Sequence, residues 1–117
     1  MNDSSIDYTG EEKDGVLIFK ILESRVDSYK SPAFKTELLK MIASGSSRVL
    51  IDMGSVDTMD SSGLGALTFG RRQIEEVGGE LVICCLREKV RTLFNIAKLD
   101  SVFRIFDTVD EGLKELK

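Results

Sequence analysis

The chain has 117 residues, 42% hydrophobic and 31% charged, with a formal net charge of −4 and no histidine. That length and apolar content support one domain over 1–117, with a core that needs no disulfide or metal staple. The acidic balance offers no basic footprint for nucleic acid, and no apolar stretch approaches the ~20 residues that span a bilayer, so neither direct nucleic-acid contact nor membrane insertion is expected.

Asp3, Asp7, Glu11 and Glu12 crowd the N-terminus, which lacks the basic and apolar regions of a signal peptide and so points to the cytoplasm. Ile6 and Tyr8 alternate with polar residues as in an edge strand. After a turn at Asp14-Gly15, Val16 to Leu22 is a nearly unbroken apolar strand, and the two are expected to pair as a hairpin. Ser31-Pro32 reads as a cap followed by proline at the first helical position, and Phe34, Leu38, Met41 and Ile42 recur at helical spacing until Gly45. Val49 to Ile51 is a short strand ending at Asp52, and Gly54 to Met59 reads as a connecting loop. A helix over Leu64 to Val77 stops at Gly78-Gly79 and leads into another apolar run, Glu80 to Leu86. This succession makes a parallel strand pair with a right-handed crossover. Val90, Leu93, Phe94 and Ala97 mark a further amphipathic helix, and Ile105-Phe106 a short strand. Thr108-Val109-Asp110-Glu111 has capping-box spacing for a last helix running to the C-terminus. The sum is an α/β fold, a mixed sheet of four to five strands with about four helices.

Cys84 and Cys85 are adjacent in a β-rich run. Strand alternation would send their side chains to opposite faces, where they read as reduced, buried thiols. No metal site or cofactor is expected.

The stretch Asp60-Ser61-Ser62-Gly63-Leu64-Gly65 places a carboxylate and two hydroxyls where a loop becomes a helix. First-turn amides have no intrahelical partners and, with the helix dipole, favour an anion, so a phosphorylated serine fits there. Capping by Asp60 or Ser61 is the alternative use of the same residue types. At about 100° per residue, Gly63, Leu67, Gly70, Ile74 and Val77 fall on one side, expected to face the sheet with the glycines allowing close approach. Phe69 projects away, in the sector of Arg72 and Glu76, and Leu64 lies on the other flank with Thr68, Arg71 and Glu75. Phe69 either marks a docking face or tucks under a neighbouring element. Arg71 and Arg72 read as a solvated face.

Enzyme readings lack their parts. Without histidine there is no Ser-His-Asp or Cys-His arrangement. The serines lack the glycine spacing of a nucleophile elbow, and no P-loop is present. Asp52, Asp57 and Asp60 could gather around a divalent cation, but Asp52 at a strand end and Asp57 in a turn have simpler backbone-bonding roles.

Val49-Leu50-Ile51-Asp52, Val56-Asp57-Thr58-Met59-Asp60-Ser61-Ser62-Gly63-Leu64-Gly65 and Glu80-Leu81-Val82-Ile83 together resemble the STAS domain of bacterial anti-sigma factor antagonists. The resemblance runs on through Val90-Arg91-Thr92-Leu93-Phe94 and Leu99-Asp100 to Phe106-Asp107-Thr108-Val109-Asp110-Glu111. It implies a protein whose unmodified form binds an anti-sigma factor that is also a serine kinase, releasing the sigma factor. Phosphorylation of the hydroxyl residue after the aspartate switches binding off, and a serine phosphatase restores it. Carried over, the phosphoacceptor is Ser61, with Ser62 the second choice and Asp60 its neighbour in the recognition loop. With Met59 and Leu64 beside the hydroxyls and the outward Phe69, the expected partner-binding surface is Met59, Asp60, Ser61, Ser62, Leu64 and Phe69. Related domains also serve as non-phosphorylated scaffolds or interaction subunits of signalling and transport assemblies, which is the alternative function.

Overall fold

The computed structural model describes residues 5–116, so Asp3 and the final Lys117 lie outside the described residues. Tyr8–Lys13 (β1) and Val16–Ile21 (β2) form the expected antiparallel hairpin, paired from Tyr8 opposite Ile21 to Lys13 opposite Val16. The turn between them places Asp14 and Gly15 at φ 54° and 80°, and glycine carries the larger value without strain. Arg48–Asp52 (β4) and Glu80–Cys84 (β6) run parallel to β2 and to each other, and Ile105–Phe106 (β7) closes the far edge. The five-stranded order is β1-β2-β4-β6-β7. The remaining elements are Arg25–Val26 (β3), Ser31–Ala43 (α1), Thr58–Met59 (β5), Ser61–Glu76 (α2), Glu88–Ile96 (α3) and Val109–Leu116 (α4).

Period-two alternation splits the strand residues between two cores. Leu17, Phe19, Ile21, Val49, Ile51, Leu81 and Ile83 meet Phe34, Leu38, Leu67, Ile74, Val90 and Phe94 from α1, α2 and α3. On the opposite face Val16, Ile18, Leu50, Val82 and Cys84 are covered by Leu113 and Leu116 of α4. The mixed sheet with four helices is the architecture expected.

Several local expectations are corrected. The segment read as a loop up to Met59 ends in β5, which pairs in parallel with β3 as a separate two-stranded sheet. Partners so far apart in sequence leave no local signature. Ser31 is not a cap but the first residue of α1; Lys30 takes the cap position without a side-chain bond. The Ser31 hydroxyl instead donates to the Asp27 carbonyl at 2.7 Å. Val77 is not on the sheet side: it ends α2 at φ −99° and is 60% exposed. The strand read over Glu80 to Leu86 stops at Cys84, because Cys85 turns into the left-handed region at φ 69°. The capping box forms with a shift of one residue. The Glu111 amide donates to Thr108 Oγ1, while the Glu111 carboxylate accepts from the Asp107 amide rather than from that of Thr108.

Candidate functional site

Parallel strands deliver their following loops to one edge of the sheet, and the chain leaving β4 crosses that edge before entering α2. The amides of Asp57 and Thr58 donate to the Ser24 carbonyl and that of Asp60 to the Val26 carbonyl, at 2.8, 3.0 and 3.3 Å. The small sheet of β3 and β5 thereby holds the approach to the helix.

Asp60 has extended backbone, φ −113° and ψ −173°, and caps α2. Its Oδ1 accepts from the Ser62 amide at 2.9 Å, the Gly63 amide at 3.4 Å and the Ser62 hydroxyl at 2.5 Å. The Ser62 hydroxyl holds the carboxyl below its ordinary range, and the backbone amides add to the effect against partial burial. Ser62 also lies 2.9 Å from the hydroxyl of Ser31, which joins the heads of α1 and α2 through one hydroxyl pair.

Ser61 differs from its neighbour. It is the first residue of α2, is exposed, and its hydroxyl has no hydrogen-bond partner among the described residues. Of the two serines, one is built into a network and the other faces solvent.

The other residues expected at a docking surface divide. Met59 is half-buried against the core, and its Cγ would lie 2.6 Å from a Cβ on Gly63. Gly63 therefore makes room for Met59 rather than for a strand of the main sheet. Leu64 is only 7% exposed and belongs to the core. It sits on the flank of α2 shared with Arg71, whose guanidinium lies 5.9 Å from the Phe103 ring. Phe69 is half-buried, with Lys35 Nζ of α1 at 4.6 Å from its ring centre. Arg71 is half-buried and pairs with Glu75 at 3.1 Å, while Arg72 is exposed.

Asp52, Asp57 and Asp60 do not converge. Asp57 faces Arg87 and Lys89 at 3.9 and 3.6 Å, Asp60 caps α2, and Asp52 accepts from the Gly54 amide at 2.9 Å.

Sequence reasoning missed a groove of about 520 Å³ between α1 and α2, with Ser62 at its rim and Pro32, Lys35, Leu39, Gly65 and Ala66 among its walls. It also missed Tyr29, 79% exposed in the loop leading to α1. A tyrosine left uncovered beside polar residues was the available signal; the groove had none, since it exists only once the helices pack.

The STAS domain model matches residues 8–112. BtrV of Bordetella bronchiseptica, which carries the name of an anti-sigma factor antagonist, is 34% identical over 109 residues, covering 93% of both chains. Among solved structures, tm1081 of Thermotoga maritima, named in the same way, matches with a TM-score of 0.85 at 22% identity, over 93% of both chains. The Bacillus cell fate determinant SpoIIAA, solved in its phosphorylated form, matches with a TM-score of 0.73 at 17% identity, over 95% of this chain and 100% of its own. At these identities the structural likenesses speak for the fold, while the domain match and the Bordetella relative speak for descent. The chain belongs to the STAS domain family.

Proposed function

We propose that this protein is an anti-sigma factor antagonist controlled by phosphorylation of Ser61. Its unmodified form binds an anti-sigma factor that is also a serine kinase and so frees the sigma factor in the cytoplasm. The kinase modifies Ser61, the complex dissociates, and a serine phosphatase resets the protein. It acts as a regulatory binding protein rather than an enzyme, as the name of the Bordetella relative also suggests.

The observation that carries this reading is the contrast between the two serines. Ser61 presents an exposed, unbonded hydroxyl at the first position of α2. The Ser62 hydroxyl is held by Asp60 and Ser31. A kinase needs a hydroxyl that can enter its own site, and Ser61 meets that need without breaking a bond. Phosphorylation adds about −1.5 to −2 charges and three acceptor oxygens. The dipole at the head of α2 favours negative charge there, while the Ser62 and Gly63 amides stay with the Asp60 cap, so the helix takes such a group without unfolding. A partner seated over this edge meets a buried, partly unpaired charge, and an uncompensated charge of that kind costs roughly 3–5 kcal/mol.

Incubation with the cognate kinase and ATP is expected to add one phosphate, mapped to Ser61 by mass spectrometry, and Ser61→Ala is expected to add none. Undiminished labelling of that variant would remove Ser61 from this role.

A further inference from the structure

A second group of reactive side chains lies on the α4 face of the sheet and takes no part in the Ser61 site. Lys20, Asp52 and Cys84 are successive cross-strand neighbours of β2, β4 and β6, so their side chains share that face. Cys84 is fully buried and Asp52 is 8% exposed. A continued strand would send Cys85 to the other face. Its backbone instead adopts φ 69°, and its Sγ comes to 3.1 Å from that of Cys84. An oxygen of Asp52 and the two sulfurs all lie within 4.8 Å of one another.

We propose that Cys84, Cys85 and Asp52 form a chelating site for a thiophilic divalent cation of the zinc and cadmium type. Two sulfurs and a carboxylate oxygen are donors that such cations take, whereas calcium and magnesium demand oxygen throughout. Zinc–sulfur bonds of about 2.3 Å in a tetrahedron place the sulfurs about 3.8 Å apart, so a small side-chain rotation opens the present pair to that span. Protein donors fill three positions, leaving the fourth for water.

The donors account for the choice of cation. Two sulfurs 3.1 Å apart beside one carboxylate suit a thiophilic ion, which displaces the two thiol protons to solvent as it binds. Two thiolates and a carboxylate around a divalent ion leave one excess negative charge. The Lys20 ammonium, which already acts on Cys85 electrostatically, offsets it. Cys85 is half-buried while Cys84 is sealed, so the ion enters past Cys85. No electron transfer is involved; two S–H bonds exchange for two metal–sulfur bonds, and two protons leave.

The test is a titration of the reduced, metal-free full chain with Cd(II) alone, followed by thiolate-to-cadmium charge-transfer absorption and by native mass spectrometry. The expected result is a band that saturates at one cation per single chain. Cys85→Ser should abolish that saturable band while far-ultraviolet circular dichroism stays native, and Asp52→Asn should keep the band but weaken binding at least ~10-fold. Because Cys84 is packed in the core, Cys84→Ala supports the assignment only alongside Cys85→Ser, which replaces a half-buried thiol. A folded wild-type chain without the band, an undiminished band in Cys85→Ser, an unaltered affinity in Asp52→Asn, or a cation bridging two chains would each overturn the proposal.

Discussion

Asp60 joins two roles at the head of α2, capping the helix and fixing which serine stays free. Its carboxylate binds two first-turn amides and the Ser62 hydroxyl. Removing it strips the Ser62 amide of its partner and leaves the Gly63 amide to the Asp60 carbonyl and the Ser62 hydroxyl to Ser31. Loss of an N-cap costs about 1 kcal/mol, and Asp60→Ala is expected to lower the melting temperature by a few degrees. The acid dependence has a definite sign. The Ser62 hydroxyl depresses the folded-state pKa of Asp60, so its contribution is complete above the unfolded value near ~3.9 and is lost as pH falls through the folded one. Asp60→Asn should therefore flatten part of the acid limb in melts recorded below about pH 4, and an acid limb identical to wild type would contradict the role given to the carboxylate. The motif itself was legible as residues: a carboxylate and hydroxyls at a strand-to-helix junction spell a cap and an anion-tolerant helix head. Which hydroxyl is engaged was not legible, because Asp60 could have taken either serine, and the second neighbour of the Ser62 hydroxyl is Ser31, thirty-one positions away.

At the level of elements, α2 is the piece on which the site depends, and its glycines separate packing from conformational freedom. A Cβ on Gly65 meets nothing within 4 Å. Gly65→Ala should stabilise the protein by ~0.5–1 kcal/mol, since a mid-helix glycine loses backbone entropy on folding. Gly79, between α2 and β6, is the opposite case: a Cβ there would stand 2.0 Å from the Ser47 carbonyl oxygen. Gly79→Ala must push backbone from backbone, at a cost of about 1–3 kcal/mol or more. Denaturant midpoints moving in opposite directions for the two variants would check both. The 3.6-residue period found α2 and its buried side, Gly63, Leu67, Gly70 and Ile74, although Gly63 on that side packs against Met59 rather than against the main sheet. It failed for Leu64, which the period assigned to a surface flank. That flank faces neighbouring packing, and Leu64 is core. Periodicity tells which side of a helix is apolar, but not how many sides its neighbours cover. The same limit hid β3 and β5, two-residue strands defined by each other rather than by their own sequence. It also hid the approach of Cys85 to Cys84, since strand alternation ends where φ turns positive.

Across the whole molecule, the sheet separates two chemistries. The head of α2 opens from the layer of α1, α2 and α3, while Lys20, Asp52 and Cys84 face α4. Among the described residues no helix is long and apolar enough to cross a membrane. The regulatory reading needs the fold to be indifferent to the phosphate and the surface to be sensitive to it. Phosphorylated and unmodified protein should therefore melt within a few degrees of each other. A constitutive scaffold would bind its partner equally well in both forms, and so would variants at Ser61. The direct measurement is the affinity of the anti-sigma factor kinase for the unmodified protein and for the protein carrying one phosphate on Ser61, by calorimetry at fixed salt. A weakening of about 100-fold or more, corresponding to a buried charge penalty of roughly 3–5 kcal/mol, is the predicted result. Equal dissociation constants for the two forms would contradict it.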